Sequence, residues 1–343
     1  MSDIIAFIGI GNMGNPMAFN LHKAGYKIKV FDISSEMLIK AKEKGLETVN
    51  NINELITGKV TTVITMLPEG KHSKEMLVKA KENGLEIVEN ISELITEKVS
   101  TVITMLPEGK HSKKIYLGED GIINKVSKNC LLIDCSTIDI DTSKEIGKAA
   151  EYKEILMVDA PVSGGVMGAQ KASLNIMVGG SAKAFEKAHP ILRIMGKNIY
   201  HAGKVGCGNG AKICNNMSLG ITMIAASESL MLAKRLNIDI KKVHEIMKNA
   251  SGNSWPISVY PPLPGLIEGT PSNNNYRPGF SAGMMNKDLK LANECVKQVK
   301  ASTPLGTMAL EIYNKFCEEG NETKDFSAIS KVVGGDAWNY PID

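Results

Sequence analysis

The first half of the chain alternates between short apolar, β-branched runs and Lys/Glu-rich stretches with helical periodicity. This alternation is typical of parallel βαβ units, in which helices cover both faces of a doubly wound sheet. The predicted strands are Ile4–Ile8, Lys27–Phe31, Thr62–Met66, Thr101–Met105, Leu131–Asp134 and Leu156–Asp159.

The strand pattern stops after about residue 203, and helical patterns follow. Lys212–Leu236 is one long, largely apolar pattern, longer than an amphipathic surface helix requires. The pattern predicts an α/β fold, with a Rossmann-like doubly wound sheet in residues 1–203. An all-α domain built on a long central helix is expected in residues 204–343. The other predicted helices there are Ile240–Asn249, Met285–Val299 and Leu305–Glu318.

A proline-rich segment interrupts the helical half. Six of the 13 prolines lie between Pro256 and Pro278, together with Asn273–Asn275. Long loops inside a helical domain are usually lids, contact surfaces or disordered segments, and a plain surface insertion is the other interpretation.

The chain contains a tandem repeat. Residues 36–74 and 75–113 are two adjacent copies of 39 residues that differ at seven positions. Each copy has the pattern helix, short strand, helix, strand, and its last strand leads through Val-Ile-Thr-Met-Leu-Pro-Glu-Gly. Solenoids need three or more repeats, so we interpret the pair as a duplicated segment of the sheet.

The composition limits the classes of protein to which the chain can belong. The net charge is +3, with 43% hydrophobic and 22% charged residues, which is ordinary for a globular protein. So balanced a charge argues against nucleic-acid and membrane-surface partners. We expect no membrane span, no targeting leader, no metal site and six reduced cysteines, since no cysteine pair has metal-ligand spacing.

A dinucleotide fingerprint follows the first predicted strand. Gly9-Ile10-Gly11-Asn12-Met13-Gly14 supplies a tight turn, a close approach for a pyrophosphate and a helix–strand contact. The second predicted strand ends at Asp32, 18 residues past Gly14. A carboxylate there accepts from a ribose 2′-hydroxyl and repels a 2′-phosphate, which predicts NAD rather than NADP as the cofactor.

Three more stretches carry candidate chemistry. The Ser163 hydroxyl and the N–H groups of Gly164 and Gly165 form either a nest for a carboxylate or a simple glycine turn. Lys212, at the start of the apolar helix, is expected to have a lowered pKa from desolvation and the helix dipole, unless it extends to solvent. Asn216 lies one turn further along the same helix, on the same face as Lys212. Lys287 lies near the start of another predicted helix, where it either contacts the cofactor or substrate or is a solvated charge.

Together these stretches resemble the β-hydroxyacid dehydrogenase family, in family order across nearly the whole chain. The matching motifs are Phe7-Ile-Gly-Ile-Gly-Asn-Met-Gly-Asn-Pro-Met-Ala, Ile103-Thr-Met-Leu-Pro107, Asp134-Cys-Ser-Thr137-Ile-Asp, Asp159-Ala-Pro-Val-Ser-Gly-Gly-Val, Gly210-Ala-Lys-Ile-Cys-Asn-Asn-Met and Lys287-Asp-Leu.

The resemblance implies a role for each matching position. The fingerprint residues and Asp32 would hold NAD, and Lys212 would be the catalytic residue with Asn216 beside it. Ser163, Gly164 and Gly165 would bind the substrate carboxylate. The nicotinamide would be lined or covered by Leu106, Pro107, Thr137 and Lys287, and by His111, which stands where the family commonly has Asn.

The implied activity is NAD-dependent oxidation of 3-hydroxyisobutyrate to methylmalonate semialdehyde in valine breakdown, with Lys212 as general acid/base. The alternative substrates are tartronate semialdehyde and succinic semialdehyde. The resemblance also implies a homodimer or homotetramer. From the eukaryotic relatives it implies the mitochondrial matrix, although the sequence has no visible leader, and the cytoplasm is the alternative.

The duplication leaves open which copy contributes the strand beside the first strand of the sheet. Only one Thr-Met-Leu-Pro loop can lie beside the first strand, and we expect Leu106-Pro107 of the second copy there, with Leu67-Pro68 as the alternative. If both copies enter the sheet, an inactive NAD-binding relative becomes an alternative function. A third alternative is a purely structural or interaction protein. In that case the presence of the fingerprint, the glycine nest and Lys212 together would be a coincidence.

Overall fold

The computed structural model describes residues 4–56, 59–66 and 98–335. The chain divides into two compact units, Met1–Lys212 and Ile213–Asp343. The division therefore lies inside the long apolar helix, nine residues past the predicted boundary at 203. The predicted fold class, a Rossmann-like α/β sheet followed by a helical domain, is confirmed.

The first unit is built on one sheet with the order β10-β9-β7-β6-β5-β4-β1-β2-β3, and β8 pairs with β9. Neighbouring strands from β3 to β7 are parallel, whereas β9 is antiparallel to β7 and parallel to β10. The strands are β1 (Ile4–Ile8), β2 (Lys27–Phe31), β3 (Glu47–Thr48), β4 (Val60–Met66), β5 (Thr101–Met105), β6 (Leu131–Asp134), β7 (Leu156–Asp159), β8 (Val162–Ser163), β9 (Leu174–Gly180) and β10 (Gly196–Gly203).

Among the described residues all six predicted strands are present, and β3 is the short strand predicted in the first copy, whereas the sequence pattern missed β8, β9 and β10. The short strand predicted in the second copy lies outside the described residues. β9 and β10 extend the sheet beyond β7 at the edge away from β1. Their glycines weaken the strand signal, and the single antiparallel pairing with β7 breaks the βαβ rhythm on which the prediction rested.

Alternate strand residues pack against opposite faces of the sheet, which gives the first unit two cores. Phe7 and Ile103 belong to one core, together with helix residues such as Leu21. Ala6 and Val102 belong to the other, together with Ile146. The helices of this unit are α1 (Gly14–Lys23), α2 (Ser35–Glu43), α3 (Gly109–Leu117), α4 (Ile122–Lys125), α5 (Ile140–Tyr152), α6 (Gly165–Gln170) and α7 (Ala182–Met195).

Both copies of the repeat contribute a strand to the middle of the sheet. β4 belongs to the first copy and pairs with β1, and β5 belongs to the second copy and pairs with β4 and β6. The pairing of β4 with β5 is in register, so that each residue lies beside its own duplicate, Thr62 beside Thr101 through Met66 beside Met105. The predicted second helix of the first copy is a 3₁₀ turn, Ile52–Ile56.

The second unit is helical, and helix α8 (Cys207–Arg235) enters it from the first unit. Within this unit Met223 of α8 belongs to one core cluster and Leu230 to another, so the helix is central to its packing. The remaining helices are α9 (Ile240–Asn249), α10 (Trp255–Ser258), α11 (Ala282–Gln298), α12 (Pro304–Phe316) and α13 (Ser330–Val333).

The proline-rich segment is a fixed loop of the second unit. The Ser272 hydroxyl donates to the Pro261 carbonyl over 2.9 Å, and the Tyr276 hydroxyl donates to the Pro262 carbonyl over 2.7 Å. Tyr276 is 3% exposed and packs in the helical core. These bonds satisfy two backbone carbonyls of the loop with buried side chains, which favours a structural element over a disordered one.

Candidate active site

The glycine-rich loop after β1 has the shape that a dinucleotide requires. Gly9 has a φ of 83°, and a Cβ there would lie 1.8 Å from the Met66 carbonyl oxygen at the end of β4. A Cβ on Gly14 would lie 2.1 Å from the Gly9 oxygen, whereas a Cβ on Gly11 meets no atom within 4 Å. Two glycines therefore permit close packing and the third leaves open space for a phosphate.

The other residues of the loop divide between surface and core. Asn12 is exposed, and Met13 packs partly buried against the sheet core. α1 begins at Gly14, and no side chain caps its first turn. The N-terminal N–H groups and the positive end of the helix dipole therefore suit an anion, which fits a pyrophosphate at this position.

Asp32 is tied to the same loop from the end of β2. Its Oδ2 accepts from the Ile10 N–H over 2.7 Å and its Oδ1 accepts from the Ser34 N–H over 2.8 Å. Burial raises the pKa of Asp32, and the two backbone hydrogen bonds partly offset this effect. The geometry fits a carboxylate that accepts from a ribose hydroxyl beside the loop.

The prediction that the second copy lies beside the first strand is wrong. β4 of the first copy lies there, and Leu106-Pro107 follows β5, one strand further from the glycine-rich loop. The physical reason is that each copy carries a complete strand, and both strands form full parallel ladders. Leu67-Pro68, which follows β4, lies outside the described residues.

A buried polar network joins the ends of β5 and β6. The Thr104 hydroxyl donates to Asp134 Oδ1 over 3.0 Å and lies 2.7 Å from the Tyr116 hydroxyl. The Ser136 Oγ accepts from the Leu106 N–H over 2.8 Å. Burial raises the pKa of Asp134, which is 1% exposed. This network fixes the Leu106 loop beside the loop that follows β6.

The structure therefore brings some predicted cofactor residues together and separates others. Pro107 and Thr137 are half-buried neighbours of this network, and His111 lies in the first turn of α3 with a buried Nδ1 that has no hydrogen-bond partner among the described residues. All three belong to the β5–β6 side, whereas the glycine-rich loop and Asp32 belong to the β1–β2 side.

The predicted carboxylate nest follows β7 on the same edge of the sheet. Ser163 ends β8, and Gly164 and Gly165 have φ values of 127° and 59°. Positive φ angles favour glycine, most strongly the 127° of Gly164, which is also exposed. Consecutive glycines in this conformation can direct N–H groups toward an anion.

The first turn of α8 is fixed by Asp159, which ends β7. Asp159 Oδ1 accepts from the Gly206 N–H and its Oδ2 from the Asn209 N–H, both over 2.7 Å. Burial raises the pKa of Asp159 to about 6, with a smaller contribution from the neighbouring carboxylate of Asp134. Sequence reasoning missed this role, although Asp159 opens one of the family motifs.

Lys212 and Asn216 lie one turn apart on α8. Lys212 is 6% exposed and Asn216 is 1% exposed. The Asn216 amide donates to Asp288 Oδ2 of α11 over 2.5 Å and accepts from the Asn215 amide over 2.9 Å. Asp288 is a second residue that sequence reasoning missed, although it directly follows Lys287 in a family motif.

Lys287 is paired rather than solvated. Its Nζ lies 3.5 Å from Asp288 Oδ1, and its side chain is 20% exposed. Asp288 thus connects two predicted site residues, Asn216 and Lys287, within the second unit. Among the described residues no group of His, Cys, Asp or Glu is arranged to hold a metal ion, and no helix is long and apolar enough to cross a membrane.

Known protein families match almost the whole chain. A family model described as the NAD binding domain of 6-phosphogluconate dehydrogenase matches residues 4–83 and again 72–203, so that the repeat divides the match. A second model, described as NAD-binding of NADP-dependent 3-hydroxyisobutyrate dehydrogenase, matches residues 206–333.

Individual relatives agree with these matches. The 3-hydroxyisobutyrate dehydrogenase of Pseudomonas aeruginosa is 38% identical over 98% of this chain and 99% of its own length. The NAD-dependent L-serine dehydrogenase of the same organism is 36% identical over 96% of this chain and 97% of its own length. A solved Mycobacterium tuberculosis 3-hydroxyisobutyrate dehydrogenase with L-serine has a TM-score of 0.76 at 34% identity, covering 97% of this chain and 99% of that one.

Proposed function

This chain belongs to the 3-hydroxyisobutyrate dehydrogenase family, and on that basis we propose that it oxidises 3-hydroxyisobutyrate to methylmalonate semialdehyde. It is an NAD-dependent oxidoreductase of the hydroxyacid dehydrogenase type, as the resemblance predicted. The alcohol loses a hydride from carbon and a proton from oxygen. Bound NAD supplies the hydride acceptor.

The observation that carries the proposal is a buried lysine held on an anchored helix. Lys212 is 6% exposed and follows the fixed first turn of α8. The helix begins at Cys207, five residues before Lys212, so the helix dipole expected from the sequence acts only weakly there. We assign to the Lys212 Nζ the task of taking the hydroxyl proton, because burial disfavours the cationic form of an amine. General acid/base catalysis of this kind contributes about 10²-fold to 10⁴-fold.

Other residues of the chain bind and orient. The glycine-rich loop and Asp32 would hold the dinucleotide, and Ser163 with Gly164 and Gly165 would bind the substrate carboxylate. Asn216, fixed by Asp288, would orient the alcohol through its amide group. Most of the rate enhancement is expected from holding the donor carbon in line with the hydride acceptor.

A lysine-to-alanine substitution tests this assignment. Lys212→Ala should keep NAD binding, measured by thermal shift, and lose most of kcat, measured by absorbance of the reduced nicotinamide. Lys204→Ala removes an exposed lysine near the start of the same helix and serves as the control. Retention of more than about a tenth of kcat in Lys212→Ala would remove Lys212 from the role.

Other small compounds of the same chemical class are alternative substrates. L-Serine, like 3-hydroxyisobutyrate, carries a primary alcohol β to a carboxylate, and one relative is named for it. Tartronate semialdehyde and succinic semialdehyde, reduced in the reverse direction, complete the set of candidate substrates. A panel of kcat/KM values for these four compounds, run side by side, ranks them, and a higher value for any other compound would replace 3-hydroxyisobutyrate.

One observation favours a second candidate, an NAD-binding relative with weakened hydride transfer. β5 adds a strand between the one that lies beside the glycine-rich loop and β6. Adjacent strands lie about 4.8 Å apart, so the β6–β7 edge that carries α8 lies one spacing further from the loop than a single copy would place it. A thermal shift with NAD but no turnover of any of the four compounds would support this candidate.

The compartment and the assembly remain part of the proposal. A bacterial relative and a mitochondrial relative from mouse are both 38% identical to the chain. The mitochondrial compartment is therefore supported only by the names of the eukaryotic relatives, and the role in valine breakdown only by the family resemblance. Pairing of helical units into a homodimer or homotetramer stays a prediction, which sedimentation of the purified chain would test.

A further inference from the structure

The start of helix α8 is joined to the sheet at both oxygens of one carboxylate. Asp159 accepts the Gly206 N–H at Oδ1 and the Asn209 N–H at Oδ2, each over 2.7 Å. The other helix caps of the first unit are local: Ser34 accepts from Met37 and Ser181 from Ala184, three residues along the chain. A contact across about 50 residues fixes the helix relative to the sheet, which a local cap cannot do.

Two glycines make this contact possible. A Cβ on Gly208 would lie 2.4 Å from the Met177 carbonyl oxygen and 2.8 Å from Asp159 Oδ2. A Cβ on Gly179 would lie 2.3 Å from Asp159 Oδ1. The helix therefore approaches the ends of β7 and β9 more closely than any side chain would allow.

Asn209 adds a second connection from the same turn. Its Oδ1 accepts from the Ile138 N–H over 3.1 Å, and its Nδ2 donates to the Ser143 Oγ over 3.0 Å. Asn209 and Ser143 are at most 1% exposed. The first turn of α8 is thus held from β7, from the loop after β6 and from α5.

We propose that Asp159 and Asn209 are positioning residues that fix Lys212 for proton transfer. Lys212 follows Asn209 by three residues, less than one helical turn, so any rotation or shift of the first turn moves its side chain. Burying a carboxylate is costly where an uncharged cap would suffice for helix formation. The free-energy cost of burying the Asp159 carboxylate is explained if the contact with the sheet has to determine the position of Lys212. This inference rests on the proposed role of Lys212.

The test compares variants in the first turn of α8 and in the carboxylate of β7 that holds it. Asp159→Asn keeps the size of the side chain but replaces one acceptor by a donor that faces an N–H. Gly208→Ala pushes the turn away from the sheet. Gly210→Ala is the matched control, since its nearest neighbour, Ile140 Cδ1, lies at an ordinary 3.5 Å.

Three readouts are taken on each full-length variant. We expect Asp159→Asn and Gly208→Ala to lower kcat roughly 10-fold to 100-fold with an unchanged KM for NAD. The rate at which acetic anhydride acylates the Lys212 amine, followed against pH by mass spectrometry, should change in the same two variants. Gly210→Ala should match the wild-type chain in all three. A purely structural role would lower stability without altering the pH profile of Lys212 acylation.

Wild-type kcat and a wild-type acylation profile in Asp159→Asn would overturn the proposal. If Asp159→Asn and Gly208→Ala fail to fold, Ser143→Ala decides, because it removes the acceptor of the Asn209 amide and otherwise only a local bond to the Asp139 carbonyl within the same helix turn. An unchanged profile there would also reject the inference. Because acylation needs no turnover, these outcomes remain distinguishable from a failure of the proposed reaction, which Lys212→Ala reports.

Discussion

Thr65 and Thr104 are the same residue of the two copies and lie side by side on β4 and β5, but their hydroxyl groups have different surroundings. Both are 0% exposed. Thr104 is bonded to Asp134 and Tyr116, whereas the Thr65 hydroxyl has no hydrogen-bond partner among the described residues. β5 occupies the position beside β6, so it separates the Thr65 hydroxyl of β4 from Asp134 of β6.

Matched valine substitutions in the two copies should therefore differ. Thr104→Val should lower the free energy of unfolding by about 1–3 kcal/mol, because Asp134 and Tyr116 lose a buried partner. Thr65→Val should leave the stability unchanged or raise it by up to about 1 kcal/mol, because it removes a buried hydroxyl that no described residue satisfies. Urea denaturation measures both, and equal losses in the two variants would contradict the assignment of the network to Thr104.

Deletion of one copy should increase turnover. Removing residues 75–113 brings the end of β6 one strand spacing, about 4.8 Å, closer to the glycine-rich loop. Since hydride transfer requires reacting atoms about 3–3.5 Å apart, kcat/KM should rise while NAD binding persists. The deletion of residues 36–74 joins almost the same sequence and serves as the matched partner. An unchanged kcat/KM in both deletions would show that the extra strand does not disturb the site.

The carboxyl of Asp159 should make stability depend on pH in the acid range. Its pKa in the folded chain is about 6, above its ordinary value of 3.8, so between these values the folded state binds more protons than the unfolded state. The free energy of unfolding therefore falls as pH rises from about 4 to 6, by roughly 3 kcal/mol from this group.

The measurement is the difference in stability between the wild-type chain and Asp159→Asn at several pH values. The wild type should lose stability relative to the variant as pH rises through this window. A difference that is constant from pH 4 to 7 would show that the Asp159 carboxyl keeps its ordinary pKa in the folded protein.

Asp32 should determine the preference for NAD. Asp32→Ser removes the carboxylate that disfavours a 2′-phosphate, so the ratio of KM for NADP to KM for NAD should fall. Glu36→Gln provides the control, because Glu36 is an exposed residue of the next helix, paired with Lys40. Initial rates with both dinucleotides measure the ratio, and a ratio unaffected by Asp32→Ser would assign the selectivity elsewhere.

The sequence predicted those features that depend on local pattern. Apolar runs located β1, β2, β4, β5, β6 and β7, and the fingerprint located the turn at Gly9 and the carboxylate at Asp32, since each requires particular residues at fixed spacing. Lys212 was identified by its setting in an apolar helix, and the structure places it in a buried position.

Features that depend on pairing between distant segments were not predictable. Both copies carry strands of equal quality, so local pattern could not determine which one lies beside β1. The roles of Asp159 and Asp288 arise from contacts with residues about 50 and 72 positions away. An aspartate in a motif shows that a carboxylate is present, but only the fold shows which donors it meets.

The in-register pairing of β4 with β5 has a consequence for how such sheets grow. A single copy of this strand would pair with β1 along one edge and with β6 along the other. Among the described strands β4 pairs with β1 and β5 pairs with β6, so the two copies share these pairings between them and meet each other along one parallel ladder. A parallel sheet can therefore widen from its interior, a route open to evolution wherever a tandem duplication spans one strand and its return connection.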